Sequence, residues 1–155
     1  MLSSSNYHGN LNRAELLFKV FKYTEWEKER GKDQPFTFCI IGQSVVGIAD
    51  NFPENYKINE RIILPKQIKK LEEIGDAEVL YICHTEFERI ETILAYVSSF
   101  DILTVGEKDG MSHKGVMVNI FESNGEIVFE INDKAEKNSS VDLHAHLFKI
   151  ANVIR

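Results

Sequence analysis

The sequence predicts a three-layer α/β sandwich, Rossmann-like in outline, with a largely parallel central sheet and a C-terminal antiparallel hairpin. Two observations lead there. Short apolar runs (FTFCII, RIIL, AEVLYIC and DILTV) alternate with stretches of helical period, and right-handed crossovers make successive strands of that kind parallel. Further along, Ser123-Asn124-Gly125 separates two more strand-like runs. Asn-Gly accepts the positive φ angles of a tight hairpin turn.

The elements follow in order. Leu11 to Trp26 reads as a helix, with Asn12 as its cap and Glu15 as the reciprocal partner three residues on. Ala14, Leu16, Leu17, Phe18, Val20, Phe21 and Thr24 cover a wide arc of it, so it should lie mostly buried against the sheet. Trp26 falls on the charged side, so either the helix bends away before it or the indole is exposed. Phe36 to Ile41, ending at Gly42, suits a central strand covered on both faces. Ser44 starts a short helix through Phe52. Arg61 to Leu64 is the second strand, closed by Pro65, and Gln67 to Ile74 a helix stopped by a left-handed Gly75.

Ala77 to Cys83 is the third strand. Thr85 and Glu88 box the start of a helix whose stripe is Phe87, Ile90, Ile93, Leu94 and Val97. Asp101 to Val105 is the fourth strand, ending at Gly106. Val116 to Phe121 and Glu126 to Ile131 form the hairpin, Asn132 caps a short helix through Lys137, and Leu143 to Ile154 is a final helix. Residues 1–11 are expected to be a flexible polar tail and 12–155 a single domain.

Composition narrows the function classes. The chain has 155 residues, 43% apolar, which suits one folded core rather than general disorder. Eighteen Lys and Arg against 24 Asp and Glu give a net charge of -6, which disfavours broad contact with nucleic acid or an anionic membrane. No stretch approaches the roughly 20 apolar residues of a membrane span. The opening MLSSSNYHGN has no secretory pattern. Two readings of it stand: a cytoplasmic chain, or a fragment that lacks its export signal.

Catalytic motifs are absent. Gly42-Gln43-Ser44-Val45-Val46-Gly47 has Ser44 where a dinucleotide fingerprint needs its middle glycine, so it reads as a tight turn. No Ser occupies a nucleophile elbow, and Cys83 and His84 point to opposite faces of a strand. An enzyme is not expected, nor is a cofactor. His144 and His146, two apart on a helix, face away from each other. His84, His113, Glu107 and Asp109 fall near the carboxyl rim of the sheet, where ligands usually bind, and define a candidate ligand or metal surface. Trp26, the 107–115 loop and the aromatic first helix are candidates for a partner face. With the first four strands ordered 2-1-3-4, Cys39 and Cys83 lie on neighbouring strands. A bridge and two separate buried thiols both remain open.

Taken together, several blocks resemble the YfiR-like family, also known as DUF4154. They are LLFKVFKYTEW (Leu16 to Trp26), FTFCIIG (Phe36 to Gly42), ILTVGE (Ile102 to Glu107), GVMVNIF (Gly115 to Phe121), FEINDKAEK (Phe129 to Lys137) and LHAHLFKIANVI (Leu143 to Ile154). The resemblance runs from about Asn12 to Ile154. It implies a Rossmann-like domain without catalysis, exported or extracytoplasmic, that represses a membrane-bound diguanylate cyclase in the periplasm. It also implies self-association, with a homodimer as the simplest form. Family members carry disulfides, and Cys39 stands where the family often has Cys. A small-ligand or metal-binding extracytoplasmic sensor module is the alternative expectation.

Overall fold

A computed structural model describes residues 12–155; the expected tail, His8 included, lies outside the described residues. Helix α1 spans Arg13–Lys22, and the Asn12 side chain caps it by accepting from the Glu15 amide. The helix stops before Trp26. Thr24–Glu25 (β1) instead pairs antiparallel with Asp142–Leu143, so Trp26 is freed to turn under the sheet. Strand β2 is Phe36–Ile41, and α2 is a single turn, Ile48–Asn51. Lys57–Ile58 (β3) forms a hairpin with Arg61–Ile68 (β4). Val79–Ile82 is β5, Ile90–Val97 is α3 and Leu103–Gly106 is β6. The hairpin is β7 (Val118–Ser123) and β8 (Glu126–Asn132), turned by Asn124 at φ 53° and Gly125 at φ 80°. Asn132 caps α4 (Asp133–Lys137) through the Ala135 amide. After β9 (Asp142–Leu143) come α5 (Ala145–Ile150) and β10 (Asn152–Ile154).

The main sheet runs β10-β8-β7-β6-β5-β2-β4-β3. Strands β4, β2, β5, β6 and β7 are mutually parallel, and β8 returns antiparallel. The 2-1-3-4 order expected for the first four strands is therefore observed. Side chains alternate between two cores, because successive residues of a strand face opposite ways. Phe36, Phe38, Ile40, Val79 and Tyr81 pack under α1, α2 and α5. Ile41, Leu80 and Ile82 pack under α3 and the turn around Leu71 and Ile74.

Several expectations are corrected. The spacing of Ile68, Leu71 and Ile74 was that of a helix, but a period of three also fits a strand end followed by a 3-10 turn. Here β4 runs to Ile68, through Pro65, and only Leu71–Glu73 coils. The segment before α3 is a 3-10 turn, His84–Arg89, without a side-chain cap; Thr85 Oγ1 accepts from the Gln43 amide instead. The expected final helix splits. Its last residues become β10, which covers the outer edge of β8, and the backbone pairing gained there overrides local helical spacing.

Cys39 and Cys83 are both free and fully buried. The first lies opposite Leu80 and packs with Ile41 and Ile82; the second packs with Tyr81 on the other face. Of the two arrangements left open by the sequence, the structure has the two separate buried thiols.

Candidate functional site

The chain leaves β2 toward β4 on one side and returns to β5 on the other. That reversal opens a crevice beyond the carboxyl ends of the two strands, the usual ligand position in an open α/β sheet. Two cavities lie at this end. One, of about 660 Å³, is bordered by Gly42, Gln43, Ser44, Gln67, Lys69 and Arg89. The other, of about 520 Å³, is bordered by Arg13, Val45, His84, Glu107, Asp109 and Phe121. The segment Gly42–Gly47 separates them.

Glu107 is the centre of the site. It follows β6 directly, and its side chain is fully buried. One carboxylate oxygen accepts from Ser44 Oγ and from the Tyr81 hydroxyl, each at 2.8 Å. The other accepts from the Val45 amide at 3.0 Å and the His84 amide at 2.8 Å. His84 Nδ1 lies 3.0 Å from that second oxygen. An ionised Glu107 can only accept, so Nδ1 of His84 carries a proton in this contact. Burial pushes the Glu107 carboxyl up, but the His84 and Val45 amides and the Ser44 and Tyr81 hydroxyls outweigh it. The net effect holds it below the ordinary glutamate value. The same environment acts the other way on its neighbours: burial first, then the Glu107 charge, raises Tyr81 and Cys83.

Local sequence explains the placement. Gly42 adopts φ +92°, and a Cβ there would stand 2.6 Å from Thr85 Oγ1 and 2.8 Å from Glu86 Cγ. Only glycine lets the two loops approach this closely. Ser44 Oγ also accepts from the Val46 and Ile48 amides at 3.3 Å, which folds the segment back into α2. Arg13, at the start of α1, donates to the Ile120 carbonyl and so fixes the far wall of the second cavity.

The structure thus brings His84, Glu107 and Asp109 to one cavity. His113 is exposed on the turn Ser112–Lys114 and does not line that cavity. Trp26 is at the opposite, amino-terminal end of the sheet. Its indole donates to the Glu78 carbonyl at 2.8 Å and meets Phe36 edge-on. Trp26 therefore stands apart from the 107–115 loop with which it was expected to share a partner face, and His113 from the cavity that holds His84, Glu107 and Asp109. Among the described residues, no group of three or more His, Cys, Asp and Glu is placed to hold a metal ion. His144 is not inside a helix but caps α5, and both His144 and His146 pack on the Tyr23 ring.

Ser44, Tyr81 and Arg13 were missed as members of the site. In the sequence Ser44 reads as a helix start within a tight turn and Tyr81 as part of a buried strand. A hydroxyl in the middle of an otherwise apolar buried strand was the available signal, since buried hydroxyls find partners. A second buried carboxylate, Glu78, was also missed. It pairs with Arg61 and accepts from the Thr37 amide at 3.0 Å.

Compared with known proteins, the chain matches a family model described as DUF4154: YfiR/HmsC-like, over residues 11–152. No curated protein matches it.

Proposed function

The chain belongs to the YfiR/HmsC-like family, and from that membership we propose that it is a non-enzymatic regulatory domain. It binds the extracytoplasmic part of a membrane signalling protein and represses its diguanylate cyclase output. The family is one of periplasmic regulators of cyclic-di-GMP signalling, and the match across residues 11–152 is the observation that carries the reading. Among the described residues no helix is long and apolar enough to cross a membrane, which suits a partner that carries the span. Repression requires different affinities for the partner's active and inactive states. Val45, 61% exposed on the segment held by Glu107, offers an apolar contact beside the second cavity.

The test is co-expression, in the periplasm, with a membrane diguanylate cyclase that has a periplasmic sensory segment. Cellular cyclic-di-GMP should fall, and the purified segment should bind the chain in titration calorimetry. Unchanged cyclic-di-GMP together with no binding to that segment would sink the proposal.

A second reading rests on the two cavities at the strand-order reversal: a sensor module for a small ligand. Native mass spectrometry of protein purified without denaturation distinguishes the two. A reproducible bound mass would favour the sensor, and bare protein that still lowers cyclic-di-GMP would favour the simple regulator.

A further inference from the structure

Five hydrogen-bonding groups converge on the carboxylate of Glu107, and they come from both loops that flank the reversal of strand order. Ser44 Oγ and the Val45 amide belong to the segment after β2; the amide and Nδ1 of His84 follow β5; the Tyr81 hydroxyl comes from β5 itself. Donors from separate segments aimed at one point form an anion site whatever fills it. What fills it here is a side chain reaching in from the next loop, after β6.

We propose that this ring of donors is a carboxylate-binding site and that Glu107 is its resident ligand, a plug carried by the chain itself. Its position is the one in which folds of this outline hold the anionic part of a ligand. The glycine-bearing turn Gly42–Gly47, which falls short of a dinucleotide fingerprint in sequence, thus has its donors spent on an internal carboxylate. The cavity that Glu107 lines, with Arg13 and His84 on its wall and Val45, Val46 and Phe121 as apolar surface, leads to the same donors. An outside carboxylate reaches them only by taking the place of Glu107. The segment is bracketed by Gly42 at φ +92° and Gly47 at φ +59°. Apart from Glu107, the segment is tied down at Gly42, whose carbonyl accepts from Gln67 Nε2 of β4, and at Gln43, whose amide donates to Thr85 Oγ1. The ligand class is a short monocarboxylate, because the group replaced is a carboxylate on a two-carbon stem.

Glu107→Ala tests this, since acetate restores the atoms removed beyond Cβ. Sodium acetate should raise the Tm of the variant saturably, by about 5 °C or more at a large excess over the half-saturating concentration. Sodium chloride at equal ionic strength should not, and wild type should not respond to acetate. A variant whose Tm responds equally to both salts, or to neither, would overturn the proposal. A wild type that responds as the variant does would also overturn it, because the site would then not be plugged. A measurement on wild type keeps the idea open to failure if the variant does not fold. By NMR the amide protons of Val45 and His84 should shift together on acidification with one shared midpoint, as both report the same carboxylate. Separate midpoints, or no shift, would overturn it.

Discussion

Cys39, on β2 opposite Leu80, and Cys83, one residue past the end of the neighbouring parallel strand β5, face opposite sides of the same sheet. Neighbouring strands bring backbones close, but a disulfide also needs Cβ vectors that converge, and the pleat points these two apart. Burial raises both thiols, and for Cys83 the Glu107 charge adds to it. Neither should react with a thiol-specific disulfide reagent in the folded protein, and both should react in denaturant. A native mass 2 Da below the reduced value would contradict this arrangement.

Glu78 is 1% exposed and pairs with Arg61. Arg61 also donates to the Gln34 and Pro35 carbonyls, at 2.9 and 3.0 Å, and so ties the loop before β2 to the edge of the sheet. Arg61→Ala leaves a buried carboxylate without its cation. A loss of about 3 kcal/mol is expected from urea unfolding. The double variant with Glu78→Gln should recover part of it, because the uncompensated charge is then gone.

Gly42 and Gly125 both have positive φ, but only Gly42 is crowded. Gly125→Ala should cost about 1 kcal/mol for the backbone alone. Gly42→Ala adds the clash with Thr85 and Glu86 and should cost about 3 kcal/mol. It should also loosen the Gln43 amide, which hydrogen exchange will report.

Carboxyl groups act on stability in two directions. Burial raises Asp101, but the Ser140 hydroxyl, the Lys28 and Glu27 amides and the Arg30 guanidinium outweigh it and hold the carboxyl below its usual value. With Glu107 it therefore contributes stability that is present above the ordinary carboxylate range, about pH 4, and is lost as the pH falls through the folded value. Asp101→Asn should destabilise by about 2 kcal/mol at pH 7 and by much less at pH 3.

Glu136 behaves oppositely. Burial and the neighbouring Asp142 raise it, partly offset by the Leu143 amide. The stability it provides is present below the ordinary carboxylate value and lost as the pH rises through the folded one. Glu136→Gln keeps an acceptor for the Leu143 amide, 3.0 Å away. It should raise the Tm at pH 7 and leave it unchanged at pH 3.

Some of this was legible because local and tertiary preferences agree. Phe36–Ile41 is a strand at the expected boundaries, and Asn124-Gly125 turns the expected hairpin. Asn132 caps the short helix as its side chain suggests. The rest depended on partners far along the chain. Asn152–Ile154 is a strand because β8 offers it an open edge. Trp26 points under the sheet because β9 captures the backbone before it. His84, Glu107 and Asp109 could be grouped from their places after strands, whereas Ser44 and Tyr81 acquire their roles only once Glu107 is buried between them.

Pro65 has a consequence for how copies of the chain can meet. The Ile63 amide points outward to the Tyr56 carbonyl of the preceding hairpin arm, and in a strand every second amide points the same way, so position 65 faces the free flank beyond β3. Proline has no N–H to offer there, and Lys66 follows it. A strand arriving from another molecule would find a gap in the ladder and a charge beside it. Edge-to-edge growth of the sheet is therefore disfavoured on this side, which leaves β10 as the edge at the other end of the strand order.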